Sequence, residues 1–251
     1  MSKVKNLARR IGRTLLGTLT HVETGKPVVA LTFDDGPDPA YTPQFLELLE
    51  SYGARATFFM IGKRAAQHPD LVRCVSEFGH QIGNHSWDHV PFTLLTGRER
   101  RKQLRSCRDA LAPYGSPIFR PPNGDLDFGS RLDAARMGYR VVTWSVTAND
   151  WHNDDAMTLA NRLFEKIRPG SIVLLHDTLY TALNADCADR KPTLEALRMV
   201  LERYKGEYQF VTVSDLIKSG RPVKTYWVRK VDRKLLDQLV VTNPSSLSPE
   251  V

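Results

Sequence analysis

Val28-Val29-Ala30-Leu31-Thr32-Phe33-Asp34-Asp35-Gly36-Pro37 runs from an apolar stretch into two adjacent carboxylates and a Gly-Pro turn. A short apolar run closed by turn residues reads as a buried strand, and an Asp-Asp pair at its end is poor material for a core and good material for a site. Taken alone, Asp-Asp-Gly is also the composition of an ordinary acidic turn. What decides the matter is how the other strands of this chain end.

Working outward, β-rich runs recur at 28–33, 56–61, 80–84, 117–120, 140–146, 171–176 and 209–213. Segments with helical spacing lie between them at 41–52, 70–78, 98–114, 130–137, 157–167 and 193–204, and Gly53, Gly79, Gly115, Gly138, Gly170 and Gly206 follow these where helix ends are expected. Strands alternating with helices predict an α/β fold with a mostly parallel sheet. Periodicity does not choose between a closed barrel and an open doubly wound sheet, but in both the ligand sits at the C-terminal ends of the strands. In this chain Asp34-Asp35, His85, Arg120, Asp150-Trp151 and His176-Asp177 each follow a different apolar run. Ionisable groups at the ends of five strands predict convergence on one pocket.

His85-Ser86-Trp87-Asp88-His89 places two imidazoles at i and i+4, which puts both on one face if the chain turns helical there. With a carboxylate from Asp34 or Asp35 they complete a two-His, one-carboxylate set, able to bind a catalytic divalent metal and leave positions open for water. Zinc is the default for such N/O ligands, with nickel, cobalt and iron(II) compatible.

Thr32-Phe33-Asp34-Asp35-Gly36-Pro37, His85-Ser86-Trp87-Asp88-His89, Arg120-Pro121-Pro122-Asn123-Gly124, Asp150-Trp151 and Leu174-Leu175-His176-Asp177 resemble, in that order, the five motifs of the polysaccharide deacetylase family, also called NodB-homology or carbohydrate esterase family 4. The resemblance covers about 26–220. It implies a distorted (β/α)7 TIM-like barrel and a metal-dependent hydrolase that removes an N-acetyl group from an amino sugar of a glycan or glycoconjugate; the basic flanks and cytoplasmic expectation suggest in addition a lipid- or nucleotide-linked substrate. The resemblance further implies Asp35, His85 and His89 as metal ligands, Asp34 as general base oriented by Arg120, and His176 as general acid held by Asp150. Trp151 and Leu174 correspond to the apolar wall around the acetyl methyl, and the backbone N–H of Asn123 to an oxyanion donor. The family commonly has Tyr where Asn123 stands and often Asp where Thr147 stands. A main-chain donor survives the first change, and only a ring contact to substrate is lost. The same metal chemistry on an O-acetyl ester or a non-sugar amide is the alternative reading, and a silent carbohydrate-binding protein a further one. His152, Asp154, Asp155 and Asp177 lie near the predicted rim without separable roles, and His21, His68 and His80 read as structural or solvated.

The chain of 251 residues, 41% hydrophobic and 25% charged, is ordinary for a soluble globular protein, and its formal charge of +7 sits in the flanks. Residues 1–25 carry five Lys/Arg against one Glu, residues 221–251 six against three acids, and 26–220 is neutral. No recognition-helix, zinc-finger or aromatic RNA-binding pattern accompanies this charge, so nucleic acid is not expected as a partner. Val4, Leu7, Ala8, Ile11, Leu15 and Leu19 recur at helical spacing among basic residues, predicting an amphipathic helix over 2–19 that packs on the domain or contacts an anionic membrane. Three cysteines at irregular spacing, no membrane-length apolar run and no signal-like segment place the expectation in the cytoplasm, with peripheral contact at the inner membrane face open to residues 1–20. The expected organisation is a basic segment 1–25, a catalytic domain 26–220 and a basic extension 221–251, in which 225–228 reads as strand, 231–240 as helix and 243–249 as tail.

Overall fold

The structure is a computed structural model that describes residues 16–182, 185–231 and 240–241. The expected helix over 2–19 therefore falls largely outside the described residues, as do most of 231–240 and all of 243–249. Where 2–19 enters the described part, Leu16 is helical and Thr18 and Leu19 open strand β1, Thr18–Glu23. Strand β2, Val28–Asp34, is buried at all seven positions, as a strand covered on both faces must be.

The chain then alternates as the pattern predicts: α1 Thr42–Ser51, β3 Ala56–Met60, α2 Gly62–Gln67, α3 Pro69–Glu77, β4 Gln81–Asn84, α4 Gly97–Leu111, β5 Gly115–Phe119, α5 Phe128–Arg136 and β6 Arg140–Val141. It continues with β7 Val146–Thr147, α6 Ala156–Lys166, β8 Ile172–His176, β9 Thr181–Ala182, α7 Lys191–Arg203, β10 Gln209–Phe210, α8 Val213–Lys218, β11 Arg221–Thr225 and β12 Val240–Val241. The short α2 has no counterpart in the sequence reading, because Pro69 and a polar Lys-Arg face mask its period. Local signals fix the starts of several helices. Thr96 and Glu99 form a reciprocal capping box on α4, and Asp127, Asp155 and Thr212 cap α5, α6 and α8.

The strands form one curled parallel sheet in the order β6-β5-β4-β3-β2-β8-β7, with β10 added beside the start of β2. β6 and β7 follow one another in sequence yet occupy opposite edges. The single strand expected over 140–146 is thus broken, and 142–145 crosses the opening: Val142 N–H donates to Phe119 O and Ser145 N–H to Ile172 O. This crossing spans the gap between the two edges of the curled sheet, which no strand pair joins among the described residues. Phe33 packs between Phe45 and Phe58 at 5.2 and 5.0 Å, one junction of the apolar layer between sheet and helices.

β1 and β11 pair antiparallel, and β1 also meets the sheet through Thr143 N–H to Leu19 O and Val22 N–H to Gly170 O. Both strands of this pair lie outside 26–220, and the bonds of β1 to Thr143 and Gly170 attach them to the sheet. β12 pairs with β9, returning the chain to the strand ends. Among the described residues no helix is long and apolar enough to cross a membrane.

Candidate active site

Register brings the strand ends together. Asp34, the last residue of β2, is the direct partner of His176, the last residue of β8, and of Phe59 on β3. Arg120 follows β5, where its N–H bonds to Asn84 O at the end of β4. Asp34, Asp35, His85, His89, Asn123, Trp151, Leu174 and His176 all line one cavity of about 170 Å³. Of the ten residues singled out from sequence, Arg120 and Asp150 lie behind this lining, each bonded to a residue on it.

Arg120 is fully buried. Its Nη1 donates to Asp34 Oδ1 at 2.7 Å and to Thr32 Oγ1 at 2.8 Å, its Nη2 to Thr143 O at 2.9 Å, and its guanidinium stacks 4.1 Å from the Phe59 ring centre. Burial pulls the guanidinium pKa down while Asp34 pushes it up, and a guanidinium retains its proton in either case. Asp34 thus faces the cavity with one oxygen fixed by a permanent charge.

Asp35 adopts a left-handed conformation, φ 77°, which turns its carboxylate away from the strand direction. Its Oδ2 accepts the Tyr180 N–H at 2.8 Å, while Oδ1 lies 3.3 Å from His85 Nε2 and 3.2 Å from His89 Nε2. Burial opposes ionisation of this carboxyl, but His89 and His85 outweigh it and hold its pKa well below the usual carboxylate range. His85 Nδ1 lies 2.8 Å from Arg120 O. A carbonyl only accepts, so Nδ1 carries a proton, and Nε2 is the ring nitrogen that faces Asp35. The two imidazoles do not share a helix face. Residues 85–91 are non-helical, and left-handed Ser86 (φ 71°) and His89 (φ 63°) fold the loop so that the rings stand 5.2 Å apart.

The donor atoms of Asp35, His85 and His89 lie within 4.8 Å of one another, all three residues are buried, and Asp35 Oδ1 has no hydrogen-bond donor. A buried carboxylate oxygen without a donor, facing two imidazole nitrogens, is a costly arrangement unless a cation satisfies all three. The residues present fit a divalent metal.

Across the cavity, His176 Nδ1 pairs with Asp150 Oδ1 at 2.9 Å. Burial disfavours the imidazolium, but Asp150 overrides it and the His176 pKa is pushed up to about 9. Asp150 is itself buried, with Arg190 Nη1 donating to its main-chain O at 2.8 Å and lying 3.7 Å from Oδ2. Burial raises the Asp150 pKa, and His176 and Arg190 more than offset it, leaving it lowered. The Trp151 ring stands edge-on to His176 at 5.8 Å. Asn123 and Gly124 are both left-handed, φ 56° and 65°, and form the lip opposite.

The polar groups near the rim now separate. Asp155 caps α6, Asp154 pairs with Arg162 at 2.6 Å, and His152 lines the cavity. Asp177 lies beneath it, accepting the Thr42 hydroxyl and packed so closely on Gly36 that a side chain there would strike its carboxylate. Burial pushes the Asp177 pKa up to about 7. His80 is buried, its Nδ1 accepting the Ala56 N–H at 3.1 Å, and burial, aided by Arg55, pushes it down to about 4. Sequence reasoning missed Trp144, Arg190 and Arg229. Trp144 sits inside a run read as continuous strand, Arg190 precedes a helix, and Arg229 falls in the extension, so none carries a local signal of its role.

The polysaccharide deacetylase family profile matches residues 21–142. A peptidoglycan-N-acetylglucosamine deacetylase of Bacillus cereus is 37% identical over 202 residues, 78% of this chain and 91% of that protein. A chitooligosaccharide deacetylase of Azorhizobium caulinodans is 35% identical over 195 residues, 75% of this chain and 93% of its own. The solved structure of the Bc1960 peptidoglycan N-acetylglucosamine deacetylase has a TM-score of 0.74 at 29% identity, covering 81% of this chain and 94% of that one.

Proposed function

The chain belongs to the polysaccharide deacetylase family, and from that premise we propose that it hydrolyses the acetamide of an N-acetylated amino sugar in a glycan or glycoconjugate. The observation that carries this reading is the presence, around one cavity, of a carboxylate fixed by Arg120, an imidazole charged by Asp150, and an Asp-His-His donor set.

In this reading Asp35, His85 and His89 hold a divalent ion, which we propose to be zinc; nickel, cobalt and iron(II) accept the same donors. When bound, such an ion supplies Lewis acidity, making a water easier to deprotonate and an acyl oxygen better able to take on charge. Asp34 takes the proton of the attacking water, and Arg120 keeps that carboxylate aimed at the cavity. The Asn123 backbone N–H is the main-chain donor to the carbonyl oxygen as it gains charge. Trp151 and Leu174 enclose the acetyl methyl. His176, protonated at neutral pH, gives its proton to the nitrogen, and acetate and a free amine leave. This last role favours an amide over an ester, since an amine departs only once protonated.

The test is acetate release from a panel of N-acetylated amino sugars and glycans by metal-loaded protein. Release that disappears in Asp34→Asn supports the reading. No release from any of them, with Asp34→Asn indistinguishable from wild type, overturns it.

The amphipathic pattern of residues 1–20 supports a second, separate proposal: peripheral contact with an anionic membrane by a cytoplasmic protein, whose substrate would then be a lipid- or nucleotide-linked amino sugar. Co-sedimentation with anionic liposomes, with and without residues 1–20, tests it. Retention of the full chain alone is expected, and retention of neither form rejects the idea.

A further inference from the structure

One wall of the cavity comes from none of the five motifs. Residues 226–231 lie as a strap against 124–126. Arg229 and Leu126 exchange both backbone hydrogen bonds, at 2.8 and 3.2 Å, and Val231 N–H donates to Asp125 Oδ1 at 3.0 Å. Trp227 Nε1 donates to Gly124 O at 3.0 Å, its ring meets Trp144 edge-on at 5.2 Å, and its carbonyl accepts from Arg131 Nη1 at 2.6 Å. The strap is therefore fixed on both sides of Arg229, and Arg229 lines the cavity.

The other charged groups of this cavity all have a place in the site. Asp34 is paired with Arg120, Asp35 faces two imidazoles, and His176 is paired with Asp150. Arg229 is not matched: among the described residues its side chain forms no ion pair or hydrogen bond, and it is exposed to solvent. A guanidinium offers a planar fork of donors suited to carboxylate or phosphate. Because its main chain is already held, an anion docking on it meets a smaller ordering cost than on a free tail.

We propose that Arg229 forms a subsite for an anionic group, carboxylate or phosphate, carried by the acetamido sugar or its immediate neighbour. The inference rests on the deacetylase reading and narrows it. A glycan of neutral acetamido sugars gives Arg229 no partner, whereas an acid-bearing or phosphate-linked amino sugar does.

Acetate release is measured on three substrates: a neutral N-acetylglucosamine tetramer, a glycan fragment whose acetamido sugars carry a carboxylate ether, and N-acetylglucosamine linked to a diphosphate. Wild type is expected to prefer one of the two anionic substrates, and the preferred one identifies the source of the anion. Arg229→Gln is expected to reduce the ratio of kcat/KM for that substrate over the neutral tetramer on the order of 10- to 100-fold, through KM. Arg229→Lys should retain part of the preference, which repair of the strap alone would not explain. Calorimetry with Asp34→Asn, which binds without turning over, should show the same loss of affinity when Arg229→Gln is added. Equal loss on all three substrates, or no anionic preference in wild type, overturns the subsite and leaves the deacetylase reading standing. Absence of acetate from all three overturns both.

Discussion

Asp150 holds His176 twice: Oδ1 pairs with the ring Nδ1 at 2.9 Å, and Oδ2 accepts the His176 main-chain N–H at 2.9 Å. One buried carboxylate therefore fixes the orientation of the ring and favours its charged form, and Arg190 in turn holds the carboxylate. An amide-cleaving acid needs both properties, because the proton must be present and must point at the leaving nitrogen.

The first prediction concerns pH. With His176 raised to about 9, activity that requires its proton persists through neutral pH and falls as pH rises through about 9. Asp150→Asn should move this alkaline limb toward the ordinary value of 6.5 and lower kcat. Stability follows the same group. A His whose folded pKa lies above its unfolded one stabilises fully below pH 6.5 and loses that contribution as pH rises through about 9. Urea denaturation of wild type at pH 6 and pH 9.5 should show the loss, and Asp150→Asn should show less of it. An alkaline limb at the same pH in both proteins contradicts this account of Asp150.

A second prediction follows from the burial of Arg120. Arg120→Ala leaves Asp34 charged and unpaired in the interior, at a cost of about 3–5 kcal/mol. Arg120→Lys keeps the charge but cannot reach Thr32 Oγ1, Asp34 Oδ1 and Thr143 O together, so it should fold while losing most turnover. Chemical denaturation together with kcat separates the two effects. Full activity in Arg120→Lys would show that the position of the Asp34 carboxylate is set elsewhere.

The alternation of strands and helices and most of the cavity lining were legible because each depends on local pattern, whereas the barrel was implied only by the family resemblance. The run 28–34 announces a buried strand, and Asp34 and Asp35 stand where such a strand must stop. The approach of His85 and His89 was legible in their spacing, but its means was not. A left-handed loop and not a helical turn brings them together, since Ser86 and His89 adopt conformations that their residue types do not advertise. The break of 140–146 into β6 and β7 was hidden for another reason. Val142 and Trp144 are apolar enough for a strand, and only tertiary bonds to Leu19, Phe119 and Ile172 show that the segment crosses a gap. Arg190, Trp227 and Arg229 reach the site from 40 to more than 100 residues away, the distances over which Arg190 meets Asp150 and Trp227 meets Gly124, and composition says nothing of such contacts.

The lip of the cavity gives a third prediction. Gly124 has φ 65°, and a Cβ there would lie 2.8 Å from the Trp144 ring, whereas Gly138 has φ 82° with nothing within 4 Å. Gly138→Ala should cost about 1–2 kcal/mol for its left-handed backbone alone. Gly124→Ala adds displacement of Trp144 and the strap, about 1–3 kcal/mol more, and should also reduce turnover through its neighbour Asn123. Thermal denaturation of both variants and acetate release by both provide the comparison. Equal destabilisation would mean that Trp144 yields freely.

The most direct test of the account is metal content measured beside turnover in Asp35→Asn and Asp34→Asn. Asp35 contributes the oxygen that faces His85 and His89 and has no donor, while one oxygen of Asp34 is held by Arg120. Elemental analysis after dialysis should find the ion depleted in Asp35→Asn and retained near the wild-type level in Asp34→Asn, with acetate release lost in both, by at least about 100-fold in Asp34→Asn. Loss of metal from both variants, or from neither, would contradict the division of roles between these two adjacent carboxylates.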